Sequence, residues 1–292
     1  MDFTLRPGKY VVAVSGGVDS MALLAMLVRQ PELQLVVAHY DHGIREDSAG
    51  DRSMVQEYAS RYSLPFIYEE GKLGRGASED VARRARYTFL RKVSKTSDAR
   101  AIITAHHQDD VLETAVINMM RGTGRRGLSS LSSGDNVVRP LLSVTKNELK
   151  QYAQTHNIPW REDSTNVDQR YLRNYVRHTL LPRFGTVGHA QLLAYIKGAA
   201  KLNSQIDELL DQIIAMFVSG NALNRSRFIM LDHVLASEIM AAWLRSVGAA
   251  YDRNTVGRLV VFAKTARPGK LADVDVRYQL CAERSSILLV HR

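Results

Sequence analysis

The chain has 292 residues, 45% of them hydrophobic and 24% charged, with a formal net charge of +9 and one cysteine, Cys281. This length suggests two domains of ordinary globular composition; a lone cysteine excludes an internal disulfide or a Cys-based zinc centre, and no apolar run reaches the ~18 residues of a membrane span. The surplus of Lys and Arg points to a polyanion such as nucleic acid as readily as to simple solubility, and without an N-terminal signal pattern a cytoplasmic setting is expected.

In chain order, residues 11–14 form a short β-branched apolar run, as in a buried parallel strand. Residues 21–28 are apolar helix formers. Between them stands Ser15-Gly16-Gly17-Val18-Asp19-Ser20. Two glycines allow a sharp turn and a close approach by a ligand. The N–H groups and positive end of the following helix favour an anion such as phosphate. No lysine follows the glycines, so this is not a Walker A loop, and it is not G-x-G-x-x-G. The plainer reading is a glycine turn with Asp19 and Ser20 as helix caps.

Residues 33–38 predict a second strand ending in His39-Tyr40-Asp41-His42-Gly43. Ligands of open α/β sheets bind at such carboxyl ends. A metal there is outweighed by a polar loop, because no further ligand stands at the right spacing. A polar helix (48–62), a strand (65–68) and a glycine-rich basic loop (71–76) follow. Ser78 then caps a helix on which Arg83 and Arg86 share one face. That face is either solvated or reads phosphate through the guanidinium fork.

Residues 101–105 predict another buried strand, and 108–120 a helix with apolar residues at 111, 112, 115, 116, 119 and 120. Asp110 and Glu113 lie off that stripe, suited either to the helix dipole or to a cation or ammonium group. The glycine- and arginine-rich stretch from Arg121 to Gly127 reads as a phosphate-contacting or merely flexible loop. A strand over 137–142 is cut short by Pro140. Helices over 145–157 and 171–181 flank a loop beginning at Pro159, the second ending near Pro182. From residue 186 the strand–helix alternation stops. Helices are expected over 189–218, 231–247 and 253–263, then a hairpin over 274–290. The expected fold is α/β, a doubly wound, mostly parallel sheet over residues 1–185, with a second, mainly helical domain over 186–292.

The 15–20 loop at a strand-to-helix turn resembles the PP-loop of the N-type ATP pyrophosphatases. With His39 to Gly43, Glu79-x-x-Ala-Arg-x-x-Arg-Tyr87, Ala105-His-His-x-Asp-Asp-x-x-Glu-Thr114, Arg121-Gly-Thr-Gly124, Arg139-Pro-Leu-Leu142, Glu162-Asp163, Asn166 and Arg173-Asn174-x-x-Arg177, the motif order resembles the tRNA(Ile)-lysidine synthase family. The resemblance is dense over residues 10–183 and matches the shorter form of the family. It departs at Ser164-Thr165-Asn166, where a Ser-Asn pair is expected.

The resemblance implies ATP and Mg2+ as cofactors, and as partners L-lysine and the isoleucine tRNA with a CAU anticodon. The C2 oxygen of the wobble cytidine attacks the α phosphate of ATP; lysine then attacks C2 and expels AMP. By analogy Ser15, Gly16, Gly17, Val18, Asp19, Ser20 and His39 bind the nucleotide. Asp41, Arg86, Asp110 and Glu113 are catalytic, the acids handling lysine and Arg86 countering charge on the adenylate. Arg125, Arg126, Arg173 and Arg177 meet tRNA backbone. No metal ligand is fixed beyond an approach of Asp19 to magnesium. A homodimer is compatible with this reading, and a membrane partner is not expected. A related thiolase would need cysteines near the loop, an amidotransferase would need an ammonia-producing partner domain, and a non-catalytic binding protein would have no need of these four side chains together.

Overall fold

Strand β1 (Gly8–Ala13) runs parallel between β2 (Leu33–Asp41) and β4 (Ala101–Ile103), with β3 (Phe66–Glu70) and β5 (Val137–Val138) outside them. The sheet order is β3-β2-β1-β4-β5, every pair parallel. The computed structural model describes residues 3–43, 48–71, 79–134, 136–162 and 172–292. The expected Ser78 cap, most of the 71–76 loop, the Glu79 side chain, and Asp163, Ser164, Thr165, Asn166 and Tyr171 lie outside the described residues.

Both faces of the sheet are covered, which explains why its strands read as unbroken apolar runs. Val12, Val37 and Ile103 face Met21, Leu23, Leu24 and Leu27 of α1 (Val18–Leu27), with Tyr58 of α2 (Ser48–Arg61) in the same core. The alternate residues Val11, Val36 and Ile102 pack on Phe89, Leu90 and Val93 of α3 (Glu79–Thr96). This is the period-two alternation of a strand with a helix on each side. Helix α4 (Gln108–Met120) follows β4. The last strand is shorter than predicted because Pro140 has no N–H for a ladder, and the chain turns from there. Helix α5 (Lys146–Thr155) starts with a full capping box, Thr145 and Glu148 each bonding the other's backbone N–H, and contributes Leu149 and Ala153 to the α1 side. The short α6 (Leu172–Tyr175) continues as a π-helical turn, Val176–Leu180, and a 3-10 turn, Leu181–Phe184.

The chain falls into two compact units, Met1–Met120 with Ser129–Leu193, and Arg121–Leu128 with Ala194–Arg292. The long helix α7 (Gly185–Ile214) contains the division after Leu193. The second unit holds α8 (Arg225–Phe228), α9 (His233–Ser246) and α10 (Arg253–Thr265). It also holds an antiparallel sheet in the order β6-β7-β10-β9-β8, where only a hairpin was expected. Strands β6 (Val218–Ser219), β7 (Ala222–Asn224) and β8 (Leu271–Asp273) are too short to show an alternating pattern; β9 (Tyr278–Ala282) and β10 (Ser286–His291) form the predicted hairpin. Trp243, Phe228 and Ile239 are fully buried against this sheet. No helix among the described residues is long and apolar enough to cross a membrane.

Candidate functional site

The 15–20 loop joins β1 to α1. Gly16 adopts φ +95, a left-handed conformation that favours glycine, whereas Gly17 is extended at φ −73 as the N-cap of α1. So one glycine makes the turn, not both. The loop is cross-tied from within. The Ser15 N–H donates to Ser20 Oγ at 3.2 Å, and the Ser20 hydroxyl donates to the Gly17 carbonyl at 2.9 Å. Ser20 is thereby buried as a brace, not as an exposed cap. The N–H groups opening α1 have no partner within the helix, and its positive dipole end lies at the loop.

A second tie was not legible in the sequence. The Arg161 N–H donates to the Gly16 carbonyl at 3.0 Å, and Arg161 Nε contacts Asp51 Oδ1 of α2 at 2.9 Å. Asp51 is buried and lies against Gly16, where an added Cβ would come within 3.2 Å of the Asp51 Cβ. The loop is therefore held from behind by a charged pair drawn from two distant segments.

In front of the loop lies a cavity of about 700 Å3. Ser15, Gly17, Val18, Asp19 and Ser20 line it, together with His39, Asp41, Arg86, His106, His107 and Asp110. Lys146, Arg161 and Arg177 also line it, with Asp51, Lys150 and Glu162. Of the sequence candidates, Gly16 and Glu113 are not on its wall. His39 is buried, and its Nδ1–H donates to the Val14 carbonyl at 2.9 Å, which leaves Nε2 as an acceptor. Burial holds its imidazole below the ordinary value, hence neutral. Asp41 Oδ1 accepts the Gly43 N–H at 2.9 Å, so the turn after β2 fixes this carboxylate at the sheet edge. His106 Nδ1 and the Thr104 hydroxyl share a hydrogen bond of 2.8 Å; burial, then Arg139, Arg86, Arg83 and Arg173, push the imidazole down to about 2.

His107 was not singled out in the sequence, yet it organises the acids. Its Nε2 lies 3.5 Å from Asp19 Oδ2 and 3.6 Å from Asp110 Oδ2, and its Nδ1 lies 3.4 Å from Asp109 Oδ2. Burial opposes its charge, but the contacts with Asp109 and Asp19 and the charge of Asp110 outweigh it and raise the imidazole to about 10. A pair of adjacent histidines thus splits into a neutral and a charged member. The raised value sets the sign of a pH effect. The stabilisation is complete below the ordinary 6.5 and is lost as pH rises through about 10. The melting temperature of the wild type, measured against His107→Gln, is expected to lose its advantage across that interval. A constant difference would show that the ring is neutral.

Asp19 feels burial that raises its pKa, overcome by His107, Lys146 and Arg177, so it stays charged. Its Oδ1 is buried, with no hydrogen-bond partner among the described residues.

Glu113 does not line the cavity. It is 1% exposed, and Arg177 grips it through Nε at 2.6 Å and Nη2 at 3.0 Å, with Arg173 Nη1 at 3.4 Å. A carboxylate so neutralised holds guanidinium, not a free ammonium. Asp110 keeps a face on the cavity, with its Oδ2 accepting the His107 N–H at 3.0 Å and Arg177 3.9 Å from its Oδ1. Arg173 and Arg177, expected to meet polynucleotide, are here both engaged by these two acids.

Within the second unit Arg125 bonds Asp207 at 2.6 Å, Glu238 at 2.8 Å and Asn203, and Arg126 pairs with Asp207. Their loop is anchored by carboxylates and is not presented as a free cationic surface. Among the described residues no group of three or more His, Cys, Asp or Glu is arranged to hold a metal.

Residues 4–184 match the PP-loop domain family ATP_bind_3. The chain is 38% identical over 248 residues to the tRNA(Ile)-lysidine synthase of Geobacter sulfurreducens, covering 80% of this chain and 50% of that protein. It is 43% identical over 178 residues to the tRNA(Ile)-lysidine synthase of Thermus thermophilus, covering 59% and 35%. The chain spans about half the length, or less, of these curated relatives. Among solved structures, the U34-tRNA thiolase NcsA from Methanococcus maripaludis, with its [4Fe-4S] cluster, superposes with a TM-score of 0.56 at 16% identity, over 68% of this chain and 73% of that one. That similarity shows the fold alone.

Proposed function

Because the chain belongs to the PP-loop domain family, we propose that the 15–20 loop binds ATP and that the cavity ligates lysine to the wobble cytidine of a CAU-anticodon isoleucine tRNA. The carrying observation is one cavity that places this loop beside cavity-facing Asp41, Asp110 and Arg86. The relatives named tRNA(Ile)-lysidine synthase support this choice of substrates.

On this reading the amides opening α1 receive the phosphates, and Gly17 leaves room for them. His39, neutral, offers Nε2 as an acceptor to the nucleotide. Arg86 faces the charge that develops as the C2 oxygen of cytidine attacks the α phosphate and diphosphate leaves. Asp110 and Asp41 attract the lysine ammonium and take its proton before the amine attacks C2 and AMP departs. Glu113 acts through Arg177, which it holds beside Asp110. Lysidine then pairs with A in place of G. The orphaned Asp19 oxygen fits Mg2+, which is commonly held by one or two carboxylates together with substrate phosphates. Bound there, the ion would neutralise charge on the departing diphosphate.

The test is incubation with ATP, radiolabelled lysine and bulk tRNA, followed by digestion to nucleosides. Asp110→Asn is expected to reduce lysine incorporation at least 100-fold while ATP affinity stays within about twofold, by the usual worth of a positioned acid–base group. Undiminished lysidine formation in that variant would remove Asp110 from the mechanism. Thiolation is disfavoured because residues 1–184 contain no cysteine to carry sulfur.

A further inference from the structure

We infer that α3 and the segment after β5 form a second anion site beside the cavity, and that its ligand is the phosphodiester backbone of a nucleic acid. This rests on the tRNA reading above and names the surface that receives the strand.

The centre of the site is Tyr87, which is 7% exposed. Three guanidiniums stand against its ring, those of Arg83 at 4.9 Å, Arg86 at 5.6 Å and Arg91 at 5.8 Å. A fourth comes from another part of the chain, with Arg139 Nη2 donating to the Tyr87 hydroxyl at 3.4 Å. Arg139 is itself fixed, because its N–H donates to Ser133 Oγ at 2.8 Å and its Nη1 to the Ser132 carbonyl. Its Nε is buried, with no hydrogen-bond partner among the described residues.

Among the described residues, Arg83, Arg91 and Arg139 make no ion pair with a carboxylate, in contrast to Arg125, Arg126, Arg173 and Arg177. Stacking on a ring orients a guanidinium but leaves its charge uncompensated, and like charges gathered on one residue repel. Folding alone gains little from that concentration. A ligand with several phosphates resolves it, since the planar fork suits phosphate oxygens.

The guanidiniums of Arg83 and Arg91 converge on one ring from positions eight residues apart on α3, so the patch offers several forks within reach of adjacent phosphates. The triphosphate of ATP is already accommodated by the 15–20 loop. Arg86 and His106 belong to the cavity wall, so the patch opens directly beside the reacting groups. Burial, and after it the fields of Arg139, Arg86 and Arg83, hold the His106 imidazole low. Arg83 and Arg139 are half-buried and Arg91 is exposed, as a rim from cavity to surface requires.

The test measures binding of fluorescently labelled bulk tRNA over a range of salt, with ATP titrated in parallel. Arg83→Gln and Arg91→Gln are each expected to weaken tRNA binding several-fold and to lower the slope of log K against log salt by about one. ATP affinity should be unchanged. Arg83→Lys should keep most of the slope, which separates lost charge from lost packing. Wild-type tRNA affinity and slope in both Gln variants would overturn the site. So would displacement of a bound fluorescent probe by polyglutamate but not by tRNA, which would assign the patch to an acidic protein. If the wild type binds no tRNA at any salt, the ligase reading fails first, and the outcome is distinguishable because the variants are then not needed to see it.

Discussion

Gly16→Val is expected to unfold at lower temperature than the wild type and to show no measurable ATP binding, whereas Gly17→Ala should fold normally and bind ATP at least tenfold more weakly. The two glycines are adjacent but face different demands. Gly16 sits at φ +95, where a side chain is strained by about 1–3 kcal/mol. Its added Cβ would meet the Asp51 Cβ at 3.2 Å and Met54 Cε at 3.4 Å, so the residues behind the loop would also have to move. Gly17 has an ordinary φ, and its nearest neighbour to a new Cβ is Ser15 Oγ at 3.7 Å. It lines the cavity, so a methyl group there obstructs only what enters. Calorimetric titration with ATP and thermal melting of both variants read the two effects separately. Equal loss of melting temperature in both would refute this division of labour.

The second large effect is expected at Arg177. Arg177→Met should destabilise the protein by about 3–5 kcal/mol, the usual result of leaving a buried charge without its partner. Glu113 is 1% exposed and would retain only Arg173, at 3.4 Å. The double variant Glu113→Leu with Arg177→Met should recover most of that stability, because replacing both members of a buried pair by apolar groups is often neutral. Lysine incorporation should remain reduced in the double variant, since Arg177 then no longer stands beside Asp110. Urea denaturation at neutral pH measures the first result, and the nucleoside assay the second. A single variant as stable as the wild type would refute the structural role of this pair.

The parallel sheet and its loop were legible because each signal is local. Four of the five strands are continuous runs or end at a recognisable turn, and the 15–20 loop is one stretch of chain. The fate of Glu113 was not legible. On a helical wheel it lies beside the apolar stripe of α4, and whether it faces solvent depends on Arg173 and Arg177, which lie far along the chain. Met119 and Met120, on the predicted apolar face, are exposed at 45% and 54%, and Ile117 is buried in their place. The stripe therefore drifts by the end of the helix. The Asp51–Arg161 tie was hidden for a similar reason, because neither residue stands in a motif. The second unit's sheet escaped notice because strands of two or three residues carry no periodicity. Its internal anchors are equally nonlocal: Arg225 donates to the carbonyls of Ala263, Glu283 and Ala266, joining α8 to the end of α10 and to the hairpin.

The bond between the Arg161 N–H and the Gly16 carbonyl has a bearing on biosynthesis. The loop emerges from the ribosome before the segment that braces it, which follows only after the whole parallel sheet has been made. Until then the left-handed turn at Gly16 lacks its support, and closing so long a stretch of chain is slow relative to local helix formation. A nascent chain stalled before residue 161 should therefore carry the complete loop sequence and still fail to retain nucleotide, so that ATP capture reports the completion of this unit during translation.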